Sequence, residues 1–172
     1  ATPAAINARL GTELDLRESR YPLDLSRLRL FADAVMDLDP VHYDPAAANP
    51  WGSVVAPPLF PLHGLEALPG THALGETQDA QGREGVNEVG RDLGPLFGLS
   101  AAGGMNAGNR VQIHSLARVG ERIRADSTLV GARRRTGPRG GDMIFFETLN
   151  RYREAGGRPL LTERQTVVLR LV

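Results

Sequence analysis

The chain is organised around residues 31–60, which read FADAVMDLDPVHYDPAAANPWGSVVAPPLF. The apolar residues in and just before this stretch fall at helical spacing: Leu28, Phe31, Ala32, Val35 and Met36. We therefore predict a helix that runs to about Asp37. Pro40 cannot continue a helix, and it favours an extended backbone at the residue before it. Asp37 then lies in the last helical turn and His42 lies beyond the break, so the two side chains can converge.

A carboxylate beside an imidazole suits proton transfer to and from water. Histidine titrates near neutral pH, and a neighbouring carboxylate orients the ring and selects its tautomer. Spacing alone leaves two other interpretations open. Residues 37–44 can be an ordinary solvated turn after a helix, since Asp and Pro are common turn residues. The same acids and His42 can also bind a divalent metal ion, although no second cluster of His and Asp stands out to complete the shell.

The rest of the chain predicts helices packed against antiparallel strands. Asp24 or Ser26 can cap the first helix, and residues 58–68 are apolar on nearly every side, which is typical of a buried helix. Residues 70–108 are rich in Gly and polar residues and have little periodicity, which indicates a functional lid, a partner-facing insertion or strands that the pattern does not reveal. Residues 86–89 can be a short strand. Strand-like runs are predicted at 12–21, 110–115, 121–135, 143–153 and 160–172. Helix first and then successive antiparallel strands is an α+β arrangement.

Length and composition bound the class of protein. A chain of 172 residues can bury its own core, so we predict a single domain over residues 1–172. Lys plus Arg and Asp plus Glu both number 20, so no net charge attracts nucleic acid or an anionic membrane. The absence of cysteine excludes a thiol nucleophile and a disulfide framework. We find no signal peptide and no apolar run of about 18 residues, and we expect a cytoplasmic protein.

The central motif resembles that of the MaoC-like (R)-specific enoyl-thioester hydratases and dehydratases, which is D-x-N-P-x-H followed by D. The matching positions of this chain are Asp37, Pro40, His42 and Asp44. The passage 109–135, with its R-V-G-E turn, is similar to a strand-turn-strand passage of the same family. The resemblance implies a hot-dog fold, in which a curved antiparallel sheet wraps around a central helix, here 58–68. It also implies that Asp37 and His42 are catalytic and that the reaction needs no cofactor and no metal.

Two departures from the family pattern bear on the substrate site. Asp39 stands where the family has Asn, which adds a second carboxylate. Pro57 and Pro58 stand where the (R)-hydratases carry a His-Gly pair, whose glycine N–H is taken to polarise the thioester carbonyl; proline has no N–H. The A-P-P-L-F form resembles the FAS1-like, or MaoC N-terminal type, subgroup, which includes 3-methylfumaryl-CoA hydratase. We expect the substrate-binding residues to be Asp39, Pro57, Pro58, Leu59, Phe60 and Asn109.

The resemblance implies a thioester substrate and a second hot-dog chain. The predicted activity is reversible hydration of an enoyl-CoA, or of an enoyl group on acyl carrier protein, to the 3-hydroxyacyl thioester. We expect a homodimer or a heterodimer with another hot-dog chain. The alternatives are a non-catalytic acyl-binding partner subunit, a small binding module, and a hot-dog thioesterase, for which the predicted helix offers only Glu66. The arginines at 133–135 suggest a phosphate clamp for coenzyme A, but a solvated strand end is the more ordinary interpretation.

Overall fold

The computed structural model describes residues 6–19, 21–47, 50–65, 98, 101–137 and 141–171. Its strands are β1 (Glu13–Glu18), β2 (Ala101–Ile113), β3 (Ile123–Thr136), β4 (Asp142–Glu154) and β5 (Pro159–Leu171). All five pair antiparallel in one sheet with the order β1-β3-β4-β5-β2. The helix α1 (Leu25–Ala34) packs on one face of this sheet. The predicted α+β class is confirmed.

The strands follow the predicted runs with one large exception, β2. The other four agree with the prediction to within a few residues at each end. Strand β2 begins at Ala101 rather than at residue 110, so of the alternatives left open for residues 70–108, a strand without a visible pattern is the one that holds at 101–108. Its glycines leave no side chains from which an alternation can be read, and two register shifts against β5 interrupt the period further. The predicted strand at 86–89 lies outside the described residues.

Helix α1 begins at the predicted cap. A carboxylate oxygen of Asp24 accepts hydrogen bonds from the backbone N–H groups of Ser26 at 2.8 Å and Arg27 at 3.0 Å. These two donors have no partner inside the helix, so the cap stabilises its first turn. One turn later, Leu28 is fully buried and belongs to the same apolar cluster as Ile123 of β3. The cap and this contact fix how the helix lies on the sheet.

The C-terminus of α1 determines where Asp37 lies. The Met36 N–H donates to the Asp33 carbonyl at 3.1 Å, and the Asp37 N–H donates to the Ala32 carbonyl at 2.9 Å. This pair of bonds is a Schellman motif, which requires a left-handed residue just after the helix. Met36 is that residue, with a φ of 56°. The helix therefore ends at Ala34, before the predicted end at Asp37, and Asp37 is the first residue after the left-handed turn.

The predicted buried helix at 58–68 is wrong over its described part. Only a single 3-10 turn forms there, at Phe60–Leu62. Pro61 carries no N–H, so an α-helical ladder through this segment lacks a donor there, whereas Pro58, in the first turn, would remove none. The segment is nevertheless buried in part, and it contributes to the apolar core. Residues beyond Leu65 in the predicted helix lie outside the described part of the chain.

A row of polar side chains, which we call the polar row, crosses the buried face of the sheet. The Ser127 hydroxyl donates to Oδ1 of Asn150 at 2.7 Å, and Nδ2 of Asn150 donates to Oε2 of Glu163 at 3.0 Å. The amide of Asn109 donates to the other oxygen of Glu163 at 2.5 Å. Ser127, Asn150 and Glu163 are directly opposite one another on β3, β4 and β5. Asn109 of β2 is opposite Gln165, so it reaches Glu163 diagonally. It lies between two apolar clusters, one with Ile123, Tyr152 and Leu161, the other with Leu129, Phe146 and Leu169.

Candidate active site

Asp37 and His42 lie side by side just beyond the end of α1. Oδ2 of Asp37 is 3.2 Å from Nε2 of His42. The chain reverses between them through a 3-10 turn at Pro40–His42, so Pro40 brings the two side chains together as predicted. The imidazole is almost fully buried, whereas the Asp37 side chain is 35% exposed. The pair is therefore accessible from the carboxylate side.

The Val55 carbonyl fixes the tautomer of His42. Nδ1 of His42 lies 2.7 Å from that carbonyl oxygen, which can only accept a hydrogen bond, so Nδ1 carries the proton. In the neutral ring, Nε2 then presents a lone pair towards Asp37. The carboxylate oxygen is an acceptor as well, and at 3.2 Å the two atoms are in direct contact, which is favourable when a proton lies between them. A water molecule that donates one O–H to each of them needs the two acceptors farther apart than this contact.

The backbone of Val55 connects His42 to the sheet. Val55 pairs with Arg118 in an isolated antiparallel bridge, and Arg118 lies in the connection between β2 and β3. Along its other edge, the Val55 N–H donates to the Val41 carbonyl at 3.3 Å, next to the bond from His42. Val55 is fully buried. The imidazole is thus held by a rigid part of the core rather than by a surface loop.

Asp39 caps the turn that carries His42. Its Oδ1 accepts a hydrogen bond from the Val41 N–H at 3.0 Å, and its own N–H lies 3.3 Å from Oδ1 of Asp37. The Asp39 backbone therefore contacts the Asp37 carboxylate, while its side chain is used in capping and is exposed. Asn, the residue of the family pattern, caps a turn equally well. The Asp39 carboxylate is thus already bonded to the Val41 N–H.

The proline pair and the two residues after it differ in exposure. Pro57 and Phe60 are buried, Pro58 is half-buried, and Leu59 is 45% exposed. The Phe60 ring packs edge-on against Phe31 with 5.3 Å between centroids, and the Phe60 N–H donates to the Pro57 carbonyl at 2.9 Å. Among the described residues, no acceptor bonds the Leu59 N–H. Leu59 therefore carries the available donor of this short segment.

Asn109, the remaining predicted substrate-binding residue, belongs to the polar row. It lies on the edge strand β2 and donates to Glu163, which is 4% exposed. The structure therefore does not join it to the hydrogen bonds around Asp37 and His42. Glu163 itself was not foreseen, because nothing in the polar run T-E-R-Q at 162–165 marks one of its residues as buried.

Sequence reasoning missed Tyr43. Its hydroxyl lies 2.8 Å from the Asp37 backbone carbonyl and 3.1 Å from Oδ1 of Asp33. Burial raises the pKa of Tyr43 above its usual 10.0, and the hydrogen bond to Asp33 and the negative charges of Asp33 and Asp37 raise it further. The phenol is therefore a protonated donor at neutral pH. Its position directly after His42, in a tight turn, was the available signal.

The structure bears on three further sequence interpretations. Within the described ranges, no group of three or more His, Asp or Glu side chains is placed to hold a metal ion. Arg133 lies 3.0 Å from Glu147, and Arg134 pairs with Asp142, which favours a solvated strand end over a phosphate clamp. Of the helices in the described part of the chain, none has the length and apolar character needed to cross a membrane.

Three solved structures share this architecture. The chain aligns with the ChsH1-ChsH2 complex from Mycobacterium tuberculosis at a TM-score of 0.68 and 16% identity, over 96% of this chain and 92% of that chain. It aligns with the (R)-hydratase from A. caviae involved in PHA biosynthesis at 0.58 and 17%, over 92% and 94%. It aligns with the truncated HadBC (3R-hydroxyacyl-ACP dehydratase) complex from Mycobacterium tuberculosis at 0.51 and 19%, over 92% and 99%. These likenesses confirm the predicted hot-dog fold.

The family follows from the sequence itself. Residues 8–163 match the model of the family described as FAS1-like, dehydratase domain region. The chain belongs to that family. No curated protein matches the chain. The predicted FAS1-like subgroup, which rested on the A-P-P-L-F form, is thereby confirmed.

Proposed function

We propose that the protein is a hydro-lyase that adds water reversibly to an enoyl thioester, and that Asp37 and His42 activate the water. One observation carries the proposal: two acceptor atoms 3.2 Å apart, one on a buried imidazole of fixed tautomer and one on a partly exposed carboxylate. Membership of the FAS1-like dehydratase family supports it. The fold shared with an (R)-hydratase supports it as well. By resemblance, the product has the (R) configuration at C3.

In the proposed step, the partly exposed Asp37 carboxylate turns away from Nε2 of His42, and a water molecule enters between the two acceptors and donates one O–H to each. As the water oxygen forms its bond to Cβ, one O–H bond breaks and that proton passes to the pair. The electrons of the Cα=Cβ bond move towards Cα and the thioester oxygen. A proton from the pair then forms the new bond to Cα, which completes the addition of water. Dehydration runs through the same steps in reverse and, like hydration, transfers no electrons to a cofactor.

Negative charge develops on the thioester oxygen in this step, and a well-placed donor is typically worth about 3 kcal/mol. Pro57 and Pro58 cannot donate, and the Phe60 N–H is bonded to the Pro57 carbonyl. We propose Leu59 as the donor, because its N–H has no acceptor among the described residues and its side chain is exposed. The buried ring of Phe60 anchors the backbone next to it.

The proposed substrate is an acyl-CoA or acyl-carrier-protein thioester that reaches the pair from the exposed side of Asp37. A short branched acyl group such as 3-methylfumaryl is one member of this class. We further propose a homodimer or a heterodimer with a second hot-dog chain. Strand β2 supports this, because it is a long sheet edge whose residues 104–110 are exposed. Size-exclusion chromatography with light scattering distinguishes a monomer from a dimer.

The deciding experiment follows the enoyl absorbance of a panel from crotonyl-CoA through mesaconyl-CoA to long-chain enoyl-CoA. The wild type is compared with His42→Ala and Asp37→Asn, and Asp142→Asn, at the start of β4, serves as the matched control. We expect the first two variants to lose at least about a hundredfold in rate, since general acid-base catalysis contributes that much. Asp142 contacts Arg134 and Thr136 rather than the pair, so the control stays within a fewfold of the wild type.

The other outcomes separate the alternatives. A folded, dimeric wild type that is inert across the panel would refute independent catalysis and favour a non-catalytic acyl-binding partner. Release of free CoA thiol without a change at the double bond would instead indicate a thioesterase. In that case the acid expected on the predicted helix, Glu66, lies outside the described residues.

A further inference from the structure

Tyr43 makes polar contacts that the proposed chemistry does not use. Its hydroxyl donates to the Asp37 backbone carbonyl at 2.8 Å, and the same oxygen is 3.1 Å from Oδ1 of Asp33. A phenol has one proton to donate, so the shorter contact, to the Asp37 carbonyl, is the principal bond. The ring is half-buried beside the pair. The side chain therefore reaches back from the residue after His42 to the residue that carries the carboxylate.

The backbone of Tyr43 is fixed as well. Nη2 of Arg29 donates to the Tyr43 carbonyl oxygen at 2.6 Å. Arg29 and Asp33 are four residues apart on α1 and therefore lie on one face of the helix. Tyr43 is thus attached to this face at two points, through its carbonyl and through its hydroxyl. Since His42 directly precedes Tyr43 in the chain, Tyr43 helps to hold both His42 and Asp37 in place relative to α1.

The Asp37 carboxylate needs this support more than the imidazole does. His42 is buried and bonded to the Val55 carbonyl, whereas the Asp37 side chain is partly exposed. Apart from His42, the contact described for its carboxylate is the Asp39 N–H at 3.3 Å, which is long for a hydrogen bond. The position of Asp37 is therefore set mainly by its backbone, and the Tyr43 hydroxyl is bonded to that backbone.

We propose that Tyr43 is a positioning residue that holds Asp37 at its working distance from His42 by bonding the Asp37 carbonyl. The inference rests on the proposed function, because the distance matters for catalysis only if the pair shares a water or a proton. An error of about 1 Å in the placement of a catalytic group can cost as much as a hundredfold in rate. Loss of the Tyr43 hydrogen bond loosens Asp37 without removing it, so we expect the rate to fall by less than a hundredfold.

The test compares Tyr43→Phe with the wild type on whichever enoyl-CoA the wild type hydrates. Tyr21→Phe, which changes an exposed tyrosine before α1, is the matched control. We expect Tyr43→Phe to lower kcat about tenfold with KM changed less than twofold, since a placement error acts on the reacting atoms. Tyr21→Phe changes neither quantity.

Each result decides the matter. A Tyr43→Phe enzyme with the kcat of the wild type would overturn the role of Tyr43 while leaving the proposed function intact. A higher KM with unchanged kcat would also overturn it, because it would show that Tyr43 binds substrate. Thermal unfolding of the variant shows whether a loss of kcat comes from a misfolded fraction. An inert wild type would overturn the proposed function, and the role of Tyr43 would fall with it.

Discussion

Replacing Glu163 by leucine should destabilise the protein by about 2 kcal/mol, because it leaves a buried amide without a partner. In the wild type, Oε2 of Glu163 accepts from Nδ2 of Asn150 at 3.0 Å and Oε1 accepts from Nδ2 of Asn109 at 2.5 Å. The Asn150 side chain is 1% exposed and has no route to water, so its orphaned N–H carries the desolvation cost of about 1–3 kcal/mol. Asn109 lies on the sheet edge and can turn to solvent, so it adds little.

A competing effect has the opposite sign. A buried carboxylate is itself costly, and well-packed apolar replacements of buried charges are often neutral or stabilising. The balance depends on whether the partner is removed as well. We therefore expect Glu163→Leu to be destabilising alone but partly rescued in the double variant with Asn150→Leu, with a coupling energy of about 1 kcal/mol. Glu163→Gln keeps one acceptor oxygen for Asn150 and should cost only about 1 kcal/mol.

The assay is urea unfolding followed by circular dichroism, at one fixed protein concentration because dimerisation shifts the midpoint. For a chain of this length, a loss of 2 kcal/mol corresponds to a fall of roughly 4–8 °C in melting temperature. Glu147→Gln, which loosens exposed ion pairs on the other face of the sheet, is the control and should change stability by less than about 1 kcal/mol. If Glu163→Leu alone proved as stable as the wild type, the polar row would not satisfy buried groups in the way described.

Three further predictions follow from single residues. Leu59, whose φ is −91°, carries the proposed oxyanion donor, so Leu59→Pro removes that N–H and should lower kcat about a hundredfold. Leu59→Ala keeps the N–H and should lower kcat little, and steady-state kinetics measure both variants. Met36→Gly relieves a left-handed backbone and should raise the unfolding free energy by about 0.5–1 kcal/mol in urea. The hydrogen bond from Arg134, and to a smaller extent that from Thr136, lowers the pKa of Asp142 below 3.8. The ionised Asp142 therefore stabilises the folded state above pH 3.8, and this contribution is lost as the pH falls through the folded-state pKa. The gap in urea midpoint between wild type and Asp142→Asn should therefore shrink between pH 6 and pH 3, and a constant gap would contradict this assignment.

The sequence was informative wherever a residue type constrains the backbone or a strand alternates. Asp24 marked the start of α1, and Pro40 predicted the break that brings Asp37 and His42 together. Strands β3 and β5 were found because apolar residues recur on one face, and β4 was found as a run with apolar residues on both faces. Strand β2 was truncated because glycine hides alternation. Over its described part, the helix predicted at 58–68 was wrong because an apolar run was interpreted without counting the donor that Pro61 removes.

Most of the contacts that could not be predicted from the sequence are hydrogen bonds to backbone carbonyls. The Val55 carbonyl selects the tautomer of His42, yet any residue at that position supplies the same carbonyl, so no side-chain pattern could announce it. The contact of Tyr43 with the Asp37 carbonyl is of the same kind, because only one of its two partners is a side chain. Glu163 was missed for a different reason, since its burial depends on amides from two neighbouring strands.

The two members of the proposed catalytic pair are held by different parts of the fold, and this division suits their tasks. The imidazole is tied through Val55 to the connection between β2 and β3, so its Nε2 lone pair has a fixed direction. The carboxylate of Asp37 follows a left-handed turn at the end of α1 and stays partly exposed, so it remains accessible to water and substrate. A rigid base beside an accessible acid allows water to enter and leave without moving the base. The relative position of Asp37 and His42 then depends on contacts between the end of α1 and the turn that carries His42. Tyr43 makes such contacts, through its hydroxyl to the Asp37 carbonyl and through its own carbonyl to Arg29.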